Sequence, residues 1–302
     1  MSRVAFIPLQ RTMSAAIQRS QEALAKTQEQ LATGKKAKDF AGLGTEAVRT
    51  LSTRSLLARQ DAYAAVSNRI GTTLALNDAN MLAIESTAVT LKNELLSAIG
   101  TGVGTGLNQA IAAAFDQFRG ALNATDGEGS LFGGSRTDGP AFLPTTLVAT
   151  VGIPASAAFA NDDIKASARL SDTVDVEYGV TASAIGSGLY TAWQTLAAAG
   201  PIGDPPTPAQ LTSLSQAAGE IDAGLASLRA VNAENGRKQA QTETLADRAG
   251  ARAVLLSGII EANEDADLGE VAMNLAQQKT QLQASYSVLA QLSELSLANY
   301  LR

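Results

Sequence analysis

The chain has 302 residues and a mass of 31.0 kDa; 45% of it is apolar, 17% charged and 4% aromatic. That is long enough for two domains with a sizeable core and too apolar for a disordered chain. Histidine and cysteine are both absent, which excludes thiol nucleophiles, disulfides, imidazole-based triads and zinc sites built on either residue, and a net charge of −6 argues against coating nucleic acid.

The first thirteen residues, MSRVAFIPLQRTM, contain no long apolar run and no small-residue cleavage site, so no Sec-type signal peptide is expected. No stretch approaches the ~18 apolar residues of a membrane-spanning helix. Seven of the eight prolines lie between Pro140 and Pro208. Residues 9–139 and 209–302 are therefore where long helices can form, since proline inside a helix costs about 3 kcal/mol.

Met13, Ile17, Ser20, Leu24, Thr27 and Leu31 alternate steps of four and three, the spacing of a coiled-coil seam. Gly34-Lys35-Lys36 reads as a turn with solvated charges, because it lacks the upstream glycine and the Ser/Thr of a phosphate-binding loop. A second helix is predicted from about Thr45 to Ile99, roughly 80 Å long at 1.5 Å per residue. Its seam runs through Leu74, Asn77, Met81, Ile84, Ala88, Leu91, Leu95 and Ala98. Gly100, Gly102, Gly104 and Gly106 then mark a connection between helices, without the spacing of a dinucleotide fingerprint.

The middle, roughly 127–206, carries turn chemistry at Asp126-Gly127, Gly133-Gly134, Asp138-Gly139-Pro140 and Gly200-Pro201. Ile164 to Leu170 and Val174 to Val180 alternate apolar and polar residues about Ser171-Asp172, so a hairpin is predicted. Thr145 to Val151 reads as a third strand, and Leu189, Tyr190, Trp193 and Leu196 as a short helix. Asn161-Asp162-Asp163 reads as a loop.

Thr207-Pro208-Ala209-Gln210 starts a helix over 209–263 with a capping threonine, a first-position proline and a capping-box glutamine. Its seam is Leu211, Leu214, Ala218, Ile221, Leu225, Leu228, Asn232 and Asn235. Gly219, Gly224, Gly250 and Gly258 fall inside it, explained either by close helix contact or by local flexibility. Asp267 with Glu270 offers a cap for the last helix, where Leu268, Leu275, Leu282 and Leu289 sit seven apart. The fold class expected is mainly α: a long antiparallel coiled-coil rod drawn from both chain ends, with an inserted small β-rich outer domain. The domains expected are 1–40 with 264–302, 41–128 with 207–263, and 129–206.

Residues 1–40 carry seven Lys/Arg against three acids, a balance of +4, and residues 261–302 carry two against six, a balance of −4. The ends are complementary and are expected to pair antiparallel. Neither is apolar enough to be a stable isolated helix, so both are expected to order on assembly. The same heptads are compatible with an intramolecular bundle. The acidic group Glu261, Glu264, Asp265 and Asp267 lacks the alternating oxygens of a calcium loop and reads as a helix start. No residue is assigned a catalytic, cofactor-binding or metal-binding role.

Several segments together resemble a known family. QEQLATGKK at 28–36 is similar to the N-terminal segment of bacterial flagellins and their hook–filament junction relatives. Leu131-Phe132-Gly133-Gly134-Ser135-Arg136-Thr137 with Pro140 and Phe142 resembles the motif that opens the family's variable domain. Asn235-Gly236-Arg237 matches a turn or kink in the returning helix, and EDADL at 264–268 the start of the terminal helix. Leu282-Gln283-Ala284-Ser285-Tyr286 and the ending Ser296-Leu297-Ala298-Asn299-Tyr300-Leu301 resemble the junction branch. Residues 39–46 depart from the family's usual Asp-Asp-Pro.

The resemblance implies a non-enzymatic, cofactor-free structural protein, exported through the flagellar type III apparatus to the extracellular flagellum. It would be a hook-associated protein joining hook to filament. The partners implied are copies of itself, another hook-associated protein, flagellin and an export chaperone, with no nucleic acid or membrane. Assembly would rest on Met13, Ile17, Leu24, Leu31, Leu268, Leu275, Leu282, Leu289 and Leu292, packing between and within subunits. The second reading is a flagellin of the filament itself; the third is a soluble helical adaptor or enzyme.

Overall fold

The two long proline-free stretches are mostly helical. A computed structural model describes residues 2–127 and 129–300, with the side chains of residue 8 and of residues 11–127 and 129–291. The long helices are α1 (Ser2–Thr33), α2 (Glu46–Thr101), α6 (Pro208–Glu264) and α7 (Leu268–Tyr300). Between α2 and α6 come α3 (Leu107–Leu122), the one-turn α4 (Ala155–Ala158), strands β1 (Ala166–Arg169) and β2 (Asp175–Tyr178), and α5 (Ala182–Ala198). The chain divides into two units, residues 1–59 with 252–302 and residues 60–251.

The 60–251 unit holds nearly all of the buried apolar surface. The α2 seam (Met81, Ile84, Ala88, Leu91, Leu95, Ala98) meets the α6 seam (Leu214, Ala218, Ile221, Leu225, Leu228). Charge pairs cross beside it, Lys92 with Asp222 at 2.8 Å and Arg229 with Glu85 at 2.7 Å. Amphipathic α3 adds Ile111, Phe115, Phe118 and Leu122, and α5 adds Ile185, Leu189, Tyr190 and Trp193. Phe115, Phe118, Phe142, Phe159, Tyr190 and Trp193 contact one another, mostly edge-on, with ring centroids 5.2 to 6.1 Å apart. Each such ring removed from water stabilises the unit by about 1.5–3 kcal/mol.

The loops are pinned by side chains reaching backbone. Asn123 accepts from Phe142 N at 2.8 Å and donates to its carbonyl at 2.9 Å. Asp204 accepts from Gly104 N at 3.0 Å and from the Thr105 hydroxyl, tying the α2–α3 glycine connection to the α5–α6 loop. Asp162 accepts from Ser135 N at 2.8 Å and Ile164 N at 3.1 Å. Gly134 (φ +70°) packs against Asp162, where a Cβ would meet its carboxylate oxygen at 2.3 Å.

The hairpin forms as its alternation predicts, with Ala166 opposite Tyr178 and Arg169 opposite Asp175. Val176 and Leu170 pack on Ile70 and Leu74 of α2 while Asp175 and Glu177 face water. The middle segment is not β-rich, however: these two four-residue strands are its only sheet among the described residues. The third strand expected at Thr145–Val151 is instead a tight helical turn, Val148–Thr150. The carbonyls of Thr146, Leu147 and Val148 take the amides of Ala149, Thr150 and Val151, so these groups bond within the turn instead of to a neighbouring strand. At the other end, α1 continues through Pro8, so the helix begins before the proline-free stretch does.

The α6 capping box is reciprocal: Gln210 N donates to the Thr207 hydroxyl at 3.3 Å, and Thr207 N donates to Gln210 Oε1 at 3.0 Å. At α7, Asp267 accepts from the amides of Gly269 and Glu270, which is the cap without the box.

Candidate assembly surface

The 1–59 and 252–302 unit brings the two chain ends together. Helix α1 packs antiparallel along α7, and Gln21 donates to the hydroxyl of Tyr286 between them. Of the residues proposed from sequence, Ile17 is buried, while Met13, Leu24, Leu275, Leu282 and Leu289 are half-buried along the helix pair. Thr27 and Val271 complete the buried set there. Leu31 and Leu268 are exposed, by 40% and 50%. The side chain of Leu292 lies outside the described residues. The α7 seam therefore starts at Val271 and runs through Leu275, Gln278, Leu282, Ser285 and Leu289, a heptad in which two positions are polar.

Where α1 ends, the chain is clasped to the α6–α7 turn. Gly34 (φ +69°) ends α1, its amide donating to the Gln30 carbonyl at 2.8 Å. Lys36 N then donates to the Glu264 carbonyl at 2.7 Å, and Ala266 N to the Gly34 carbonyl at 2.8 Å, a two-residue bridge. The ammonium groups add to it, Lys35 on Asp265 and Lys36 on the Ala262 carbonyl. Arg54 of α2 donates twice to the carboxylate of buried Glu264, at 3.0 and 2.7 Å, and its guanidinium lies 5.4 Å from the centre of the Phe40 ring. The hydrogen bond to Glu264 raises the Arg54 pKa above its ordinary value, and the bond to Asp265 does the same for Lys35. Among the described residues, opposite charges of the two chain ends meet at this clasp. Its two halves are over 200 residues apart in sequence, so only the +4 and −4 end balances hinted at it.

Burial is unevenly shared. Of all buried apolar side chains described, only Ile17 and Val271 belong to this unit. Yet among the described residues it holds eleven of the twenty exposed large apolar side chains, including Val48 (76%), Val254 (73%) and Met273 (69%). Helix α7 from 271 to 291 carries one charged residue, Lys279. A long helix with an apolar seam on one side and a partly apolar surface bearing a single charge on the other is shaped for contacts on both. The unit also differs in charge, with thirteen Lys/Arg against ten acids, while residues 60–251 have ten against nineteen.

Among the described residues no group of three or more acidic side chains is arranged to hold a metal ion, and no helix is long and apolar enough to cross a membrane.

Residues 218–301 match the family of the bacterial flagellin C-terminal helical region. Two solved structures share the fold. One is a Vibrio parahaemolyticus protein assigned as a flagellar hook-associated protein, 16% identical, with a TM-score of 0.61 over 72% of this chain and 97% of that one. The other is FlgL of Bacillus cereus, 13% identical, with a TM-score of 0.50 over 66% of this chain and 98% of that one. No curated protein sequence matches the chain. The resemblance to the flagellin family read from the two arms is found again in the C-terminal match, and the chain shares its fold with these two flagellar proteins.

Proposed function

We propose that this chain is a structural subunit of the bacterial flagellum, a hook-associated protein that forms the junction between hook and filament. The observation that carries the reading is the terminal unit. Its α7 lies within the flagellin-type match, and it leaves most of its apolar side chains in solvent beside a small buried set. Such a unit gains little from folding alone and much from packing on copies of itself. The 1–40 and 264–302 ends act as the assembly domain, 41–128 with 207–263 as a helical rod, and 129–206 as an outer module. Met13, Ile17, Leu24, Leu31, Leu268, Leu275, Leu282, Leu289 and Leu292 supply the packing.

The work done is mechanical: one lattice is fitted to another with no bond made or broken. On the family resemblance the partners are further copies of the chain, a second hook-associated protein, flagellin and an export chaperone, and the location is extracellular after type III export. A filament flagellin is the second reading, favoured by the flagellin name of the matching C-terminal region. Immunogold labelling of isolated flagella separates the two: label confined to the distal edge of the hook supports the junction, and label along the filament overturns it. Deleting the gene gives an independent check, because loss of the junction sheds assembled filaments into the medium.

A further inference from the structure

The α2–α6 seam of the 60–251 unit is built from two kinds of layer. From 81 to 98 on α2 and 211 to 228 on α6 it is apolar. From 60 to 78 and 232 to 249 it is mixed: buried Gln60, Ser67, Asn77, Asn235 and Thr242 are interleaved with Ile70, Leu74 and Ala249. There Asn235 Nδ2 donates to the Leu74 carbonyl at 2.9 Å and Asn232 Nδ2 donates to Asp78 at 2.8 Å, which fixes the antiparallel register. In that register Asn77 lies level with Asn232, and Ser67 with Thr242.

Each of these side chains keeps at least one buried polar atom without a partner among the described residues. Asn77 is wholly inaccessible, and neither its amide nitrogen nor its oxygen has a partner among the described residues. The side-chain oxygens of Ser67, Asn232, Asn235 and Thr242 are in the same condition. Beside one of them, Asn235, opens a largely apolar cleft of about 320 Å³ whose rim carries Lys165, Glu234 and Lys238. Buried polar groups without protein partners take up water where they can reach it, and at Asn235 the cleft with its three charged rim groups opens a path to solvent. Each polar layer also forgoes the apolar burial of a clamp layer, while Ile70 and Leu74 keep theirs against the hairpin.

We propose that the α2–α6 pair is mechanically two-part, a dry clamp at 81–98 with 211–228 and a hydrated, yielding segment at 60–78 with 232–249 that opens first. The asparagines fix register, as polar residues at seam positions do, and in return make the segment soft. The inference concerns this unit alone and stands whether or not the chain is a flagellar junction.

Hydrogen exchange followed by mass spectrometry on the full purified chain tests it. Amides within 60–78 and 232–249 are expected to exchange at least about tenfold faster than those within 81–98 and 211–228. Asn77→Leu is expected to slow the polar segment by about tenfold and leave the clamp unchanged. Ile84→Asn carries a polar layer into the clamp and is expected to quicken exchange across 81–98; it decides the matter should Asn77→Leu fail to fold. Equal protection of the two segments in the unaltered chain overturns the proposal. So does an Ile84→Asn chain whose clamp exchanges no faster than before.

Discussion

Arg54 and Glu264 stand 210 residues apart in sequence, yet the guanidinium of one grips the carboxylate of the other through two hydrogen bonds at 3.0 and 2.7 Å. The carboxylate is buried to all but 9% while the guanidinium is half exposed, so the pair is asymmetric. Removing the arginine leaves a buried negative charge whose remaining cation, Lys35, is 3.9 Å away. Arg54→Ala is therefore expected to loosen the clasp more than Glu264→Gln, which removes the charge together with its partner's purpose. Amide exchange across 30–36 and 262–268 should quicken roughly tenfold in Arg54→Ala. An Arg54→Ala chain with unchanged exchange there would show that the two-residue backbone bridge holds the clasp unaided.

The glycines of α6 separate into two groups with opposite expected effects. A Cβ on Gly224 would lie 2.7 Å from the backbone nitrogen of Leu189 and 2.8 Å from the carbonyl carbon of Gly188, because α5 meets α6 there backbone to backbone. Neither neighbour can yield without moving α5. Gly219, in the same helix, has nothing within 4 Å of that position. Gly219→Ala is thus expected to stabilise the chain by about 0.5–1 kcal/mol through helix propensity, and Gly224→Ala to destabilise it by about 1–3 kcal/mol through overpacking. Thermal unfolding followed by the fluorescence of Trp193, the single tryptophan, measures both; a Gly224→Ala chain as stable as the parent would refute the close approach.

Acid should act on the loops first. Asp204 is held below the ordinary aspartate value of 3.8, chiefly by the Thr105 hydroxyl and then by the Gly104 amide. Asp162 is lowered in the same way by the hydroxyl and amide of Ser135. A carboxyl that binds protons more weakly when folded leaves the unfolded chain with more protons near its ordinary pKa. The stabilisation is then complete above that value and is lost as pH falls through and below 3.8. Asp204→Asn is expected to flatten that part of the stability–pH curve, visible in unfolding midpoints measured from pH 6 down to about 2.5. A curve of unchanged slope would mean that Asp204 titrates alike in both states.

Period and punctuation made the helices legible. Seam residues of α2 and α6 repeat at 3.5 because one side of each helix stays buried along its length, and Thr207 with Gln210 marks a start that is nearly self-contained. The hairpin was readable for the same reason, since Ser171-Asp172 separates two alternating runs. Thr145–Val151 is rich in β-branched residues, but Val148 is 74% exposed and the amides of Ala149, Thr150 and Val151 bond locally, so that composition reflects no sheet. Leu268 shares the seven-residue spacing of Leu275, Leu282 and Leu289, yet it is the first residue of α7 and lacks a partner layer to cover it. The clasp and the aromatic cluster escaped detection because they join segments far apart in sequence: Phe142 meets Phe118 and Phe159 only after three loops have closed.

The assembly surface makes the sharpest prediction, because substitutions there separate packing inside the chain from packing between chains. Val48, Val254 and Met273 point their side chains into solvent, so replacing any of them by aspartate should shift the chain's own stability by no more than about 0.5 kcal/mol. Packed against another copy, the same aspartate would be a buried charge without a partner, and self-association should fall by at least about tenfold. Leu282→Asp, inside the α1–α7 pair, should abolish association and also free both helices, leaving the Trp193 environment of the 60–251 unit intact. Sedimentation of each variant, paired with near-ultraviolet circular dichroism of the tryptophan, reads both effects in one sample. If the three exposed aspartates leave association untouched while Leu282→Asp removes it, the heptads serve only an internal helix pair, and the outward surface of the terminal unit is not an interface between copies.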